Sequence, residues 1–368
     1  MNKFIGINKY KLDTPALVID KAKLLSNLSL MQQIAKTANV DVRPHAKTHK
    51  CTKLAKLQLD HGCVGICVTK VSEAYEIAKA GITGILITSP VVTDNKISIL
   101  LDVLRLAPDT ILVVDNLSNA QQLNNILNQH SLNLNVLLDI DGGIGRTGAS
   151  LFNAVAVSQE INALSNLNFK GIQCYAGHIQ HIADLDERRK ASAKILVEAG
   201  KIKQQLLSLG IPCHIQTGSG TGTFSVDAEI SSVTEIQPGS YAVMDQEYSN
   251  IEYKDGKFAN AMTMLTTVIS ANQKEHVTVD AGTKALYKVA TKPHIISHPN
   301  LTYDWDYFGD EHGKVSSNNG TTLPNLGEVL ELVVAHCDPT INLFNHFYIT
   351  ENDIVVDRWD IDLRGKCQ

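Results

Sequence analysis

The stretch CVGICVTKVSEAYEIAKAGITGILIT, residues 63–88, carries the pattern that decides the fold. Its opening run, 63–68, is short and rich in β-branched side chains. KVSEAYEIAKAG, 70–81, then mixes apolar and charged residues as an amphipathic helix does, and GILIT, 84–88, is apolar again. Apolar strands alternating with helices belong to a parallel sheet covered on both faces. The same unit recurs outward in both directions. Candidate strands lie at 41–46, 63–68, 84–88, 110–115, 134–140, 170–175, 212–216 and 234–237, with helical stretches such as DLDERRKASAKILVEAGKIKQQLLSLG between them. Eight such strands predict a closed (β/α)8 TIM-type barrel rather than an open sheet. Past about residue 255 the pattern changes. NAMTMLTTVISA, HVTVDAG, GEVLELVVAHC, FNHFYI and DIVVDRWDI read as strands joined by tight turns, which predicts a second, mainly antiparallel β domain. The expected division is 22–255 for the barrel and 1–21 with 256–368 for the β-rich domain.

Composition narrows the function classes. The chain has 368 residues, 44% hydrophobic and 19% charged, ordinary values for a globular protein with material for two cores. A net charge of −5 gives no electrostatic reason for a nucleic-acid partner. No apolar run reaches membrane-spanning length, and MNKFIGINKYKLDTPALVID lacks a signal-peptide core, so the expected location is the cytoplasm. The seven cysteines are scattered, and Cys63 and Cys67 are spaced for neither a zinc ribbon nor a redox pair. They are expected to be free thiols.

In a barrel the functional groups stand where strands end at the C-terminal face. The first strand ends in RPHAKTHK. An extended chain there puts Arg43, His45, Lys47 and His49 on one face. Four such groups are costly to bury unpaired, so they are expected to line a site. Desolvation favours a neutral, nucleophilic amine, which makes Lys47 a candidate Schiff-base lysine; the alternative is a solvated loop with Lys47 at the surface. Strand seven ends in QTGSGTGTF, where Gly218, Gly220 and Gly222 allow close backbone approach and Ser219, Thr221 and Thr223 add hydroxyls. That composition suits an anion nest in the region where barrels commonly hold phosphate. QPGSY adds Ser240 and Tyr241 for the same anion. Strand five ends in DIDGGIGRTG; its GxGxxG match is weak in this context, and Arg146 is read as a cation fixed near an anionic ligand. Tyr175 is expected to lie against a ring or line the site. His178 and His181 are read as hydrogen-bonded structural residues before metal ligands. In VVAHCDPT an extended chain would put His336 and Asp338 on one face, and Pro339 favours that extension. An imidazole and a carboxylate so placed can hold a divalent cation, though a hydrogen-bonded strand end fits the same residues.

Taken in order, LDTPALVID, RPHAKTHK, DGGIGRTG, YAGHIQH, TGSGTGT, QPGSY, DAGTKAL, GDEHG and HCDPT resemble the D-threonine aldolase and D-serine dehydratase family of fold-type III pyridoxal-phosphate enzymes, related to alanine racemase. The resemblance runs from about residue 12 to 350. It implies an alanine-racemase-like fold, with Lys47 as the Schiff-base lysine and Arg146 near the cofactor ring or substrate. Thr217, Gly218, Ser219, Gly220 and Thr221, with Ser240 and Tyr241, would hold the phosphate. His45 and Tyr175 would face the cofactor, and Gln180 and Asp310 would be further active-site polar residues. His336 and Asp338 would form the metal pair. Dehydratase members resemble a His-x-Cys pattern, whereas this chain has Asp338 two places after His336. A carboxylate makes a harder site, suited to manganese or magnesium over zinc. The resemblance therefore implies an aldolase that cleaves D-β-hydroxy amino acids to glycine and an aldehyde, working as a homodimer. A D-serine or 3-hydroxyaspartate dehydratase and, more remotely, a non-enzymatic pyridoxal-phosphate-binding protein are the alternatives.

Overall fold

A computed structural model describes residues 4–317 and 320–368. The chain starts outside the barrel. Strand β1 (Ala16–Asp20) leads into an 18-residue helix, Lys21–Ala38, capped by Asp20, whose side chain accepts the Lys23 N–H. Eight short parallel strands follow: β2 (Asp41–Val42), β3 (Ile66–Val68), β4 (Ile85–Ile87), β5 (Ile111–Val114), β6 (Leu134–Asp141), β7 (Leu167–Tyr175), β8 (Ile215–Gly218) and β9 (Glu235–Ile236). Helices separate neighbours from β2 to β9, including Val71–Lys79 between β3 and β4 and Leu185–Ser208 between β7 and β8.

Strands β3 to β8 form one six-stranded sheet, and β2 pairs with β9. Backbone bonds close the ring on both sides of that pair. Ala46 N–H donates to Cys67 O at 2.8 Å and Cys67 N–H to Pro44 O at 2.9 Å, joining β2 to β3. Gln237 N–H donates to Gly218 O at 2.9 Å, joining β9 to β8. Six of the eight strands are shorter than the runs that predicted them, whereas β6 and β7 extend beyond the expected 134–140 and 170–175.

The eight remaining strands are β10 (Met262–Ser270), β11 (His276–Val279), β12 (His294–Ile295), β13 (Leu301–Asp304), β14 (Gly313–Ser317), β15 (Val329–Val333), β16 (His346–Glu351) and β17 (Ile354–Asp360). With β1 they make a nine-stranded sheet in the order β13-β14-β11-β10-β1-β16-β17, with β15 paired to β10 and β12. Every pairing is antiparallel except β1 with β16. Strands β12 to β14 were not legible in the sequence, being short or polar. All seven cysteines are free, six of them buried. Among the described residues no helix is long and apolar enough to cross a membrane.

Strand periodicity builds the barrel interior. Cys67, Leu86, Ile111, Val113 and Leu137 form a buried cluster of their own, separate from the main core that includes Ile66, Val68, Leu112, Val114 and Leu138. One parity therefore plugs the lumen while the other packs under the helices. Two residues further along the plugging parity stand Thr69, Thr88, Asp115 and Asp139. The lumen thus turns from apolar to polar toward the C-terminal ends of the strands.

Candidate active site

Above the apolar plug lies a cavity of about 710 Å³. Its wall includes Lys47, Arg146, Tyr175 and Ser219 from the barrel and His336 and Asp338 from the β-rich sheet side. The second sheet reaches the barrel mouth through a backbone clamp. Gln246 and Glu247, just beyond the barrel, donate N–H bonds of 3.0 and 3.2 Å to Val334 O and Ala335 O.

RPHAKTHK does not present four side chains on one face. Strand β2 ends at Val42 and residues 46–49 turn, so the two-residue alternation stops. Arg43 instead forms a buried bidentate pair with Glu235, at 3.0 Å from Nε and 2.9 Å from Nη2. His49 is fully buried, with its Nε2 3.2 Å from Gln58 Oε1. Only His45 and Lys47 reach the cavity. His45 Nε2 lies 3.1 Å from Thr88 Oγ1, and burial holds its pKa well below the ordinary histidine range, so the ring is neutral. Lys47 Nζ makes no hydrogen bond or ion pair with the described residues. A half-buried amine without a partner is available for chemistry.

The glycine loop after β8 has a cradle for an anion. Ser219 takes a positive φ of 74°, and Ser219, Thr221 and Ser240 are all buried. The N–H groups of Gly220, Thr221 and Ser240 meet no acceptor among the described residues. Buried unpaired donors are costly, and converging amides of this kind suit a phosphate. Gly218 serves another end than the one expected of it. A Cβ there would sit 2.1 Å from Cys174 O, and its φ is +151°, so the glycine is dictated by the approach of β7 to β8. Gly218→Ala is expected to cost about 3 kcal/mol of stability or more, read as a lower urea midpoint; an unchanged midpoint would refute this packing reading.

Three residues expected at the ligand stand behind the wall instead. Gln180 is buried under the loop, accepting the Gly222 N–H at 3.1 Å and donating to Thr223 Oγ1 at 2.9 Å. Thr217 Oγ1 accepts from Gln237 Nε2 at 3.0 Å beneath the floor. The Tyr241 side chain points into the core, with its hydroxyl 3.3 Å from Gln58 Nε2 and its ring 5.7 Å from that of Phe258. Asp310 is exposed on a turn, bonded to Thr283 at 3.2 Å, and is not part of the cavity wall in this chain. His178 is likewise exposed and outside it.

Arg146 sits on a turn held by carboxylates. One oxygen of Asp141 accepts the N–H groups of Gly143, Ile144 and Gly145 at 2.9, 3.1 and 3.0 Å. Asp115 accepts the Gly148 N–H at 3.2 Å, and Asp139 accepts the Thr147 hydroxyl at 2.8 Å. The guanidinium carbon lies 5.6 Å from the centre of the Tyr175 ring. The GxGxxG match is thus a carboxylate-braced turn.

On the opposite side, His336 is the N-cap of a short helix, Cys337–Ile341. The extended geometry expected through Asp338 is therefore absent. Pro339 falls in the first helical turn, where a missing N–H costs nothing, and its preference did not keep Asp338 extended. Both side chains nonetheless face the cavity. His336 Nδ1 is 3.0 Å from Asp245 Oδ2, an oxygen that also accepts the Cys337 N–H at 2.9 Å. This leaves Nε2 for the cavity, the arrangement in which a carboxylate orients a metal-binding imidazole. Ligand atoms of Asp245, His336 and Cys337 lie within 4.8 Å of one another. Asp245 and Cys337, however, are fully buried and do not line the cavity, and the Cys337 thiol points at Asp338 Oδ1, 3.5 Å away. The pair that faces open space is His336 and Asp338. Burial alone would raise the Asp338 carboxyl, but Lys47 and His336 hold it below its ordinary value, so it is anionic.

Sequence reasoning gave little weight to His181, which joins this wall with its ring 4.8 Å from that of Tyr248. Desolvation lowers its pKa below the ordinary 6.5, outweighing the carboxylates of Glu247 and Asp245. Asp245 and Tyr248 were also missed; they lie in a segment whose sequence, MDQEYSN, carries no periodic pattern.

Comparison with known proteins identifies the family and its fold. The profile described as Alanine racemase, N-terminal domain, matches residues 19–247, and a serine dehydratase domain profile matches 261–350. The chain is 39% identical to a D-threonine aldolase of an Arthrobacter species, over 96% of this chain and 93% of the relative. It is 32% identical to a 3-hydroxy-D-aspartate aldolase of Paracoccus denitrificans, over 98% and 94%. The crystal structure of a D-threonine aldolase from Filomicrobium marinum superposes with a TM-score of 0.93 at 34% identity, covering 99% of both chains.

Proposed function

This chain belongs to the alanine-racemase-like, fold-type III pyridoxal-phosphate enzymes that include the D-threonine aldolases and D-serine dehydratases, and on that premise we propose that it cleaves D-β-hydroxy amino acids to glycine and an aldehyde. One observation carries the reading. A partnerless lysine amine, a nest of unpaired amides and an outward-facing His336 and Asp338 share one chamber.

Residues 22–255 would form the cofactor-holding unit, and 1–21 with 256–368 the unit that brings the metal pair. The Lys47 amine would tether pyridoxal phosphate, with the phosphate on the Gly220, Thr221 and Ser240 amides and His45 and Tyr175 beside the ring. The bound cofactor would supply an electron sink for negative charge at the substrate Cα. His336 Nε2 and Asp338 would hold a divalent ion, water and substrate filling its other positions; the ion would acidify the substrate β-hydroxyl. The hard carboxylate favours manganese or magnesium over zinc.

The chain's own groups do the rest. Arg146 would pair with the substrate carboxylate and fix which bond stands over the ring. Neutral His181 would accept the β-hydroxyl proton as the Cα–Cβ bond breaks. The cavity would keep bulk water from the carbanion.

Assays of D-threonine for glycine and acetaldehyde, against D-serine for pyruvate and ammonia, test the reading with pyridoxal phosphate and each divalent ion in turn. Pyruvate alone would make it a dehydratase. A pH profile tests His181. Because its pKa is lowered, the base stays neutral as pH falls past 6.5, and kcat/KM should drop only below that. A bound cation would push the same way. His181→Ala should remove this limb and cost roughly 10²- to 10⁴-fold in kcat; an unchanged limb would clear His181 of the role.

We place the enzyme in the cytoplasm as a homodimer. The wholly exposed aromatics Phe152 and Tyr307 are surfaces a second copy would cover. Sedimentation tests the assembly.

A further inference from the structure

Along the cavity floor, through the lining residues Thr147, Gln173 and Gln237, runs a line of side-chain hydrogen bonds to which the proposed reaction assigns no role. Its hub is Asp139, on the lumen-facing parity of β6 and 4% exposed. Oδ2 accepts the Thr147 hydroxyl at 2.8 Å, and Oδ1 accepts Gln173 Nε2 at 2.9 Å. Gln173 Oε1 in turn accepts from Gln237 Nε2 at 3.1 Å, and the same nitrogen reaches Thr217 Oγ1 at 3.0 Å. The line crosses from the Arg146 turn through β7 to the ends of β8 and β9. Both Asp139 oxygens are committed, one to the turn and one to the floor. The backbone repeats the link, since Ala149 N–H donates to Asp139 O at 2.8 Å and Asp141 N–H to Ala149 O at 3.0 Å.

The turn needs such a hub. Arg146 itself is exposed, and its guanidinium carbon lies 5.6 Å from the centre of the Tyr175 ring, which β7 supplies two residues after Gln173. Thr147, the next residue, is the side chain that ties the turn downward. An arginine whose donors form a rigid planar fork at the end of a long flexible stem, with no side-chain acceptor of its own among the described residues, is aimed by what holds its backbone.

We propose that Asp139 is a positioning residue that fixes Arg146 toward the substrate by locking the Arg146 turn to the cavity floor. This rests on Arg146 being the substrate-facing cation. Asp139 does not line the cavity; it acts through Thr147 and Gln173, which do. Because the same carboxylate holds the turn and Gln173, it sets the height of Arg146 above the floor. That distance decides whether a substrate carboxylate and the ring beneath it are met at once.

The test uses the pyridoxal-phosphate-loaded enzyme. Asp139→Ala should raise the substrate KM roughly ten- to a hundredfold while kcat changes less, with the visible cofactor band retained. In an Arg146→Ala background the same change should add nothing to KM, because the group being positioned is gone. Thr147→Val should reproduce the effect in part, and Asp139→Asn, isosteric with one acceptor oxygen, should recover part of the loss and serve if the alanine variant does not fold. Independently of turnover, hydrogen exchange of a peptide covering residues 140–149 should quicken in both Asp139 variants. Additive KM effects in the Arg146→Ala background, or a lowered melting temperature with unchanged exchange in 140–149, would overturn the proposal. A wild-type protein inactive on every D-β-hydroxy amino acid would instead sink the aldolase reading, and the exchange measurement would still judge Asp139.

Discussion

Lys47→Ala is expected to abolish the visible absorbance of the cofactor-loaded protein and to lower turnover by about 10³-fold or more. The lysine stands where β2 has ended and the chain turns, half-buried, with no acceptor claiming its amine. His45, two residues earlier, is neutral and adds no competing charge. A covalent tether lost at this point cannot be replaced by Lys50, whose amine is committed to Glu73 at 2.6 Å. Retention of the visible band in the variant would show that the tethering amine lies elsewhere and would remove Lys47 from that role. Loss of turnover with the band intact would leave Lys47 a proton carrier only.

The second large effect is expected at Asp338. Asp338→Ala should weaken manganese binding by about a hundredfold or more and remove activity at ordinary metal concentrations. His336 would remain, oriented by Asp245, but one imidazole is a poor site for a hard ion. Asp338→Cys should do something different. A thiolate beside an imidazole is softer, so dependence should move from manganese toward zinc. Isothermal titration of each ion into both variants, with activity measured alongside, separates the outcomes. An unchanged metal profile in both would remove Asp338 from the ligand set. The site then would have to be rebuilt around Asp245 and Cys337, which are buried and do not line the cavity.

The barrel was legible because its physics is local. A strand such as Ile85–Ile87, buried on both faces, must be apolar throughout, and the amphipathic helix Val71–Lys79 must show its stripe. The second sheet was legible where strands are long, as at Met262–Ser270, and lost at His294–Ile295, where two residues carry no period. The cavity followed the same rule. Lys47, Arg146 and Tyr175 stand beside glycines or strand ends that mark them. The reading failed where it extended a strand past its end: the turn at 46–49 sends His49 into the core, and the helix at Cys337 replaces an extended His-x-Asp. It also could not separate ligand-facing groups from those behind them. Thr217, Gln180 and Tyr241 sit within one or two residues of the wall, yet face Gln237, Thr223 and Gln58. Which way a side chain points out of a turn depends on neighbours far along the chain, and Asp245, 91 positions from His336, is the clearest instance.

The first strand has a consequence for how the molecule is made. β1 precedes the whole barrel, yet its partners are β10 and β16, with Val18 opposite Thr263 on one side and Tyr348 on the other. A growing polypeptide must therefore hold this segment unpaired while some 240 further residues leave the ribosome. Once β9 has emerged and before β10 has, the barrel has its lysine but lacks its roof. Chaperone binding to nascent chains should concentrate on 16–20, and vitamin B6 captured before release would sit in a vessel still missing the groups that choose its reaction.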